Sequence, residues 1–122
     1  MSNARGLVIL VEDDAGMREA LERVLVATGF DVRSFCSAEA ALQDHGTLDA
    51  RCLVLDIHLP GLSGFELYDR LRAVDRRPAV VFISARDDAH HQARAMKLGA
   101  LDYLVKPFSG HALSAVVAKA FA

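Results

Sequence analysis

The chain has 122 residues, 52% of them apolar and 25% charged. That is the composition of one globular domain, long enough to bury roughly two-thirds of its unfolded surface. The formal net charge of −2 argues against a basic nucleic-acid surface, and no apolar stretch approaches the roughly 20 residues of a membrane span. The start lacks the basic-then-apolar pattern of a signal peptide. One domain over residues 1–122 is therefore expected, with residues 1–5 a disordered or cloning-derived lead. Cys36 and Cys52 fit no metal spacing. Both lie in apolar runs and read as buried thiols in a reducing compartment.

Leu7-Val8-Ile9-Leu10-Val11 is a continuous β-rich run, as in a strand buried on both faces. A helix follows, with Met17, Leu21, Val24, Leu25 and Thr28 on one side, Asp14 as N-cap and Gly29 as stop. Asp31-Val32-Arg33-Ser34-Phe35 alternates like an edge strand. Ser37 caps a short helix reaching about Asp44. The third strand runs from Cys52 to Ile57. Leu59-Pro60-Gly61-Leu62 suits a type II turn, and Ser63-Gly64-Phe65-Glu66 is a capping box opening a helix with Phe65, Leu67, Tyr68 and Leu71. Pro78 introduces the fourth strand, Ala79 to Ile83. The next helix is polar, with Ala89, Ala93 and Met96 as a weak apolar face, His90-His91 as a solvated pair and Gly99 as stop. Asp102 to Val105 is the fifth strand, and Ser109 caps a last helix carrying Leu113, Val116, Val117 and Ala120. Strict alternation predicts an α/β domain, a parallel sheet with helices on both faces. Right-handed crossovers bring every strand's C-terminal end to one edge.

Sites in open α/β sheets lie beyond those ends. Glu12, Asp13, Asp56, Ser84 and Lys106 all fall there. Three acids face one amine, and two like charges about 4 Å apart repel by roughly 4 kcal/mol at an effective dielectric near 20. Such a pocket calls for a divalent cation, and oxygen ligands open to water favour Mg²⁺ over zinc or copper. His58, two residues after Asp56, is expected to point away. An aspartate can act as nucleophile toward phosphorus, and phosphoryl transfer is mostly positioning and charge stabilisation. Mg²⁺, the Ser84 hydroxyl and the Lys106 ammonium would then hold the phosphoryl oxygens, while the small Ala85 leaves the approach open.

Val11-Glu12-Asp13-Asp14, Leu55-Asp56-Ile57-His58-Leu59-Pro60-Gly61 with Ser63-Gly64, Ile83-Ser84-Ala85, Gly99-Ala100 and Asp102-Tyr103-Leu104-Val105-Lys106-Pro107-Phe108 together resemble the receiver domain of two-component response regulators. They occur in that family's order over nearly the whole chain. The resemblance implies a doubly wound, flavodoxin-like sheet of five parallel strands in the order 2-1-3-4-5 with five helices. It implies Asp56 as phosphoacceptor, charged by a phosphohistidine on a sensor histidine kinase or histidine phosphotransfer protein. Asp13 and Asp56 would ligate Mg²⁺, with Glu12 acting mainly through water and the His58 main-chain carbonyl as a further ligand. Ser84, Ala85 and Lys106 would bind the phosphoryl group. Tyr103 would turn inward as Ser84 moves, altering the surface of helix 4, strand 5 and helix 5 for a partner or homodimer. A cis Lys106-Pro107 bond, a cytoplasmic location and no direct contact with nucleic acid or membrane complete the expectation. The domain would promote its own phosphorylation and dephosphorylation without being an enzyme in the usual sense. Glu12 stands where Asp is more usual, and His58 and Arg86 occupy positions that tune phosphoryl lifetime.

Each residue alone has a plainer reading: Asp56 as a turn residue, the acidic run as helix-dipole partners, Lys106 as solvated, Tyr103 as a half-buried strand aromatic, Ser84 as a helix cap. The ligand pair shifted by one, Asp13 and Asp14, is less favoured because Asp14 is explained as a cap. A phosphohydrolase with an aspartate nucleophile would want an acid where His58 stands. A nucleotide or flavin domain would want glycines after the first strand. A pseudo-receiver that only binds partners would usually lack the acceptor or the lysine.

Overall fold

The computed structural model describes residues 6–44, 47, 49–72 and 78–122; the lead expected over residues 1–5 lies outside them. The elements run β1 Leu7–Val11, α1 Ala15–Thr28, β2 Asp31–Phe35, α2 Ala38–Gln43, β3 Cys52–Asp56, α3 Gly64–Arg72, β4 Ala79–Ser84, α4 Ala89–Lys97, β5 Asp102–Val105 and α5 Gly110–Ala118, closing on a 3-10 turn, Lys119–Phe121. The five strands form one parallel sheet in the order β2-β1-β3-β4-β5.

Alternation along the strands divides the core into two layers. Ile9, Val11, Leu53, Leu55, Val80 and Phe82 face the side covered by Ala38 and Ala41 of α2, Phe65, Leu67, Tyr68 and Leu71 of α3, and Ala95 of α4. Val8, Leu10, Cys52, Val54, Val81 and Ile83 face Leu21 and Leu25 of α1 and Leu113, Val116 and Val117 of α5. The central strands β1, β3 and β4 are almost wholly buried, whereas β2, at an edge, is not.

The helix signals act as read. Asp14 accepts from the Met17 amide, Ser37 from Ala40 and Ser109 from Ala112. Ser63 and Glu66 bond each other's amides reciprocally. Gly29 ends α1 at φ 109°, where a side chain would be strained.

Three expectations are corrected. Cys36, at the end of edge strand β2, is exposed, and only Cys52 is buried. There burial lifts the Cys52 thiol to about 12. Asp88 caps α4, accepting from the amides of both His90 and His91, which sets aside the plainer reading of Ser84 as a helix cap. The face of α4 is also turned: Ala89 and Ala93 are exposed and Met96 is 55% exposed, while Ala95 is buried. His91 packs inward, its ring 5.8 Å from Phe65 and 5.4 Å from His58.

Candidate functional site

Strand register brings the chemistry together. Val11 of β1 pairs with Leu55 of β3, so the next residue on each, Glu12 and Asp56, emerges beside the other. Ser84 of β4 pairs with Val105 of β5, which places Lys106 next to them, its amide donating to the Ser84 carbonyl at 2.8 Å. The site is thus a rim built from four strand ends. It is held below by the buried apolar runs 8–11 of β1 and 52–55 of β3.

Glu12 is 0% exposed, Asp56 4% and Ser84 0%. The Lys106 ammonium donates to Glu12 Oε1 at 2.6 Å and Asp56 Oδ2 at 2.9 Å. Asp56 Oδ1 accepts the His58 amide at 2.9 Å, and Glu12 Oε2 accepts the Asp14 amide at 3.1 Å. Carboxylate oxygens of Glu12, Asp13 and Asp56 lie within 4.8 Å of one another. Asp14 is committed to its cap, so the cluster contains Asp13.

Burial lifts the Glu12 carboxyl to about 7, against the opposing pull of its bonds to Lys106 and the Asp14 amide; the neighbouring Asp56 charge lifts it further. For Lys106, burial works against the ammonium, but its hydrogen bonds to Glu12 and Asp56 outweigh that and leave its pKa raised. The physical picture is a crowded group of acids held by one internal cation. Oxygen donors of this kind at an open rim fit a hard divalent ion: Glu12, Asp13 and Asp56 are the side chains able to hold it.

The Ser84 hydroxyl oxygen accepts the Arg86 amide at 3.0 Å. Tyr103 is already inward and buried, its hydroxyl donating to the Arg86 carbonyl at 2.8 Å. The Arg86 backbone is therefore gripped on both sides, its amide by Ser84 and its carbonyl by Tyr103. Ala85 is exposed beside Ser84. The Lys106–Pro107 bond is cis. The His58 side chain is exposed and turns to the His91 ring, away from the acids as expected.

Two contributors went unread in the sequence. Arg18, one turn into α1, donates from Nη1 to the Glu12 carbonyl at 2.9 Å; its position four residues after the Asp14 cap was the available signal. Glu39, in α2, accepts the Leu62 amide at 2.9 Å. No local pattern announces a contact across 23 residues.

Comparison with known proteins agrees with this geometry. The family model for the response regulator receiver domain matches residues 8–118. The chain is 36% identical over 116 residues to the transcriptional regulatory protein FixJ of Bradyrhizobium diazoefficiens, covering 95% of this chain and 57% of that protein. It is 39% identical over 118 residues to nodulation protein W of the same organism, covering 96% and 52% respectively. The solved structure of the response regulator StyR superimposes with a TM-score of 0.85 at 39% identity, over 97% of this chain and 60% of that one. The chain spans about half the length of the curated relatives it matches.

Proposed function

This chain belongs to the response regulator receiver family and is a receiver domain of two-component signalling; on that premise we propose that Asp56 is its phosphoacceptor. The observation that carries this reading is the set of contacts around one buried carboxylate: Lys106 at 2.9 Å, with Glu12 and Asp13 within 4.8 Å.

In the proposed transfer an Asp56 carboxylate oxygen attacks the phosphorus of a phosphohistidine on a sensor kinase or phosphotransfer protein. A P–O bond forms, the P–N bond breaks, and the imidazole departs with a proton. Receiver domains bind Mg²⁺ at such an acidic pocket. Here Glu12, Asp13, Asp56 and the main-chain carbonyl of His58 would hold it, and it would supply charge neutralisation for the incoming phosphoryl oxygens. Lys106 turns from Glu12 and Asp56 to a phosphoryl oxygen, and the Ser84 hydroxyl donates to another beside Ala85. The same pocket lowers the barrier for attack by a small-molecule donor and for later hydrolysis by water, so the domain promotes both its own phosphorylation and its own dephosphorylation.

The switch follows from the double grip on Arg86. Phosphorylation adds roughly −1.5 to −2 charge, and Ser84 leaves the Arg86 amide to meet it. The Arg86 backbone then keeps its bond to the Tyr103 hydroxyl after losing the one to Ser84. Because Tyr103 begins inward, it acts as the pivot retaining the Arg86 carbonyl. Only Ala95 of α4 is buried, so this helix is a low-stability element free to shift. The altered surface of α4, β5 and α5 would engage a homodimer or another partner. Among the described residues no helix is long and apolar enough to cross a membrane; a cytoplasmic domain meeting kinase phosphohistidines, without touching nucleic acid itself, is the setting proposed.

The test is labelling with a small phosphodonor. The wild-type chain should take up label in Mg²⁺ and lose it in EDTA, and Asp56→Ala should remain unlabelled. Label retained on that variant assigns the acceptor elsewhere.

A further inference from the structure

The turn from Leu59 to Leu62 follows β3 just after the acceptor, and carboxylates hold the Leu62 amide and the flanking amides of His58 and Ser63. The His58 amide is bound by Asp56 itself at 2.9 Å. The Ser63 amide is bound by Glu66 of α3 at 2.9 Å. The Leu62 amide is bound by Glu39 at 2.9 Å, across 23 residues. The first two are local; among the described residues, the Glu39 bond is the one that ties the turn to a helix distant in sequence. Gly61 turns at φ +78°, and a Cβ there would lie 2.5 Å from Glu39 Oε2. The glycine thus serves both the left-handed turn and the close approach of the carboxylate. Further along, Gly64 sits against the Asp56 carbonyl and its amide donates to Ile57 at 3.2 Å. The turn is clamped at both ends and braced once in the middle.

We propose that Glu39 is a positioning residue for the phosphoacceptor pocket: by holding the Gly61–Leu62 peptide from α2, it fixes the turn that carries the His58 carbonyl beside Asp56. This rests on the reading of that pocket as a Mg²⁺-dependent phosphoacceptor. Glu39 touches no reacting atom and acts through the turn. The Leu62 amide, more than any other group, holds the Glu39 carboxyl below its usual range, its own amide next, against a small cost of burial and with aid from the Arg70 charge. The bond therefore persists as carboxylate to amide at neutral pH.

The test compares Glu39→Ala, Glu39→Gln and Glu39→Asp in the full chain. Mg²⁺ affinity is followed by calorimetry, and the Leu62 amide by NMR shift and hydrogen exchange. Losing one charge-assisted bond of this kind should weaken Mg²⁺ binding about fivefold in Glu39→Ala. Glu39→Gln keeps an acceptor at the same reach and should stay within about twofold of wild type. Glu39→Asp keeps the charge but falls short by a methylene, and should behave like Glu39→Ala. All three melt close to wild type, since the side chain is exposed. Wild-type Mg²⁺ affinity in Glu39→Ala, once Leu62 has lost its protection, would overturn the proposal. So would normal affinity in Glu39→Asp with weak affinity in Glu39→Gln, which would assign the effect to charge alone. An unlabelled wild-type Asp56 would instead defeat the phosphoacceptor reading, leaving the Leu62 and Mg²⁺ comparisons to be judged by themselves.

Discussion

Glu12 and Lys106 stand 94 residues apart in the chain and 2.6 Å apart in space. Their contact ties the end of β1 to the end of β5, over the top of β3 and β4. It also gives the pocket an internal counter-ion, which any incoming cation must displace or share.

Lys106→Met should therefore split two properties that usually move together. Removing a positive charge 2.9 Å from Asp56 raises the attraction of the remaining carboxylates for Mg²⁺, whose affinity should increase several-fold. Phosphoryl uptake should fall at least tenfold, because one of the groups stabilising transferred charge is gone. Calorimetry and donor labelling on the same sample would separate the effects; parallel loss of both would contradict the counter-ion role.

The stability of the Mg²⁺-free protein should fall as pH rises through the Glu12 titration. Burial lifts this carboxyl from 4.5 to about 7, so the folded state holds the extra proton in that window. Stability is full below the unfolded value and declines until the folded value is passed. Integrated over that window, the decline amounts to roughly 3 kcal/mol. Glu12→Gln should flatten it and make the chain more stable than wild type above neutrality. Denaturant melts in EDTA at intervals from pH 5 to 8 would show this, and superimposable pH profiles for the two proteins would refute it.

Mg²⁺ should replace the missing proton as the stabilising cation. At ten times its dissociation constant it adds about 1.4 kcal/mol to the folded state, about 4–8 °C in Tm for a domain of this size. Asp56→Asn and Glu12→Gln should each shrink the shift, and Ca²⁺-free, Mg²⁺-titrated thermal melts measure it. An unshifted wild-type Tm at millimolar Mg²⁺ would count against the acids as ligands.

The strand ends were legible because a parallel sheet offers only one rim, and apolar runs as unbroken as Leu7–Val11 and Cys52–Leu55 leave little choice about what ends there. Caps at Asp14, Ser37, Ser63 and Ser109 were legible for the same local reason. The α4 face was not. Ala89, Ala93 and Met96 share helical spacing, but so do His91, Ala95 and Leu98, and discounting His91 as solvated selected the wrong stripe. Cys36 misled because an apolar neighbour, Phe35, does not bury an edge-strand end. Long-range partners such as Glu39 and Leu62 leave no periodic trace at all.

His91 itself supplies a test of that face. Its ring rests on Phe65 and His58, and its Nδ1 is shielded from solvent without a hydrogen bond, 3.8 Å from the Asp88 carboxylate. Leaving a polar atom so placed costs about 1–3 kcal/mol. His91→Leu keeps the volume and removes the atom, so it should stabilise the domain by about 1 kcal/mol. His90→Ala, on an exposed side chain, should change stability by less than about 0.5 kcal/mol. Urea melts decide between this and a solvated His91, for which the two substitutions would be equally silent.

Two glycines should answer the same substitution with opposite signs. Gly16, exposed in the first turn of α1, would place a Cβ 3.5 Å from Asp14 Oδ1, an ordinary contact. Gly16→Ala should stabilise the domain by about 0.5–1 kcal/mol through the loss of backbone freedom in the unfolded chain. At Gly64 the added Cβ would stand 2.4 Å from the Asp56 carbonyl oxygen and 3.0 Å from its carbon. Both are backbone atoms of the acceptor residue, gripped between β4 and the start of α3, and neither can yield without moving Asp56. Overpacking of this kind costs about 1–3 kcal/mol, and the displacement should also lower the rate of donor labelling. The paired measurement is a urea melt and a labelling time course for each variant: Gly16→Ala labels at the wild-type rate, while Gly64→Ala is slower even where it is fully folded. A Gly64→Ala protein with unchanged stability and labelling would mean that the packing of α3 against Asp56 does not set the acceptor's position.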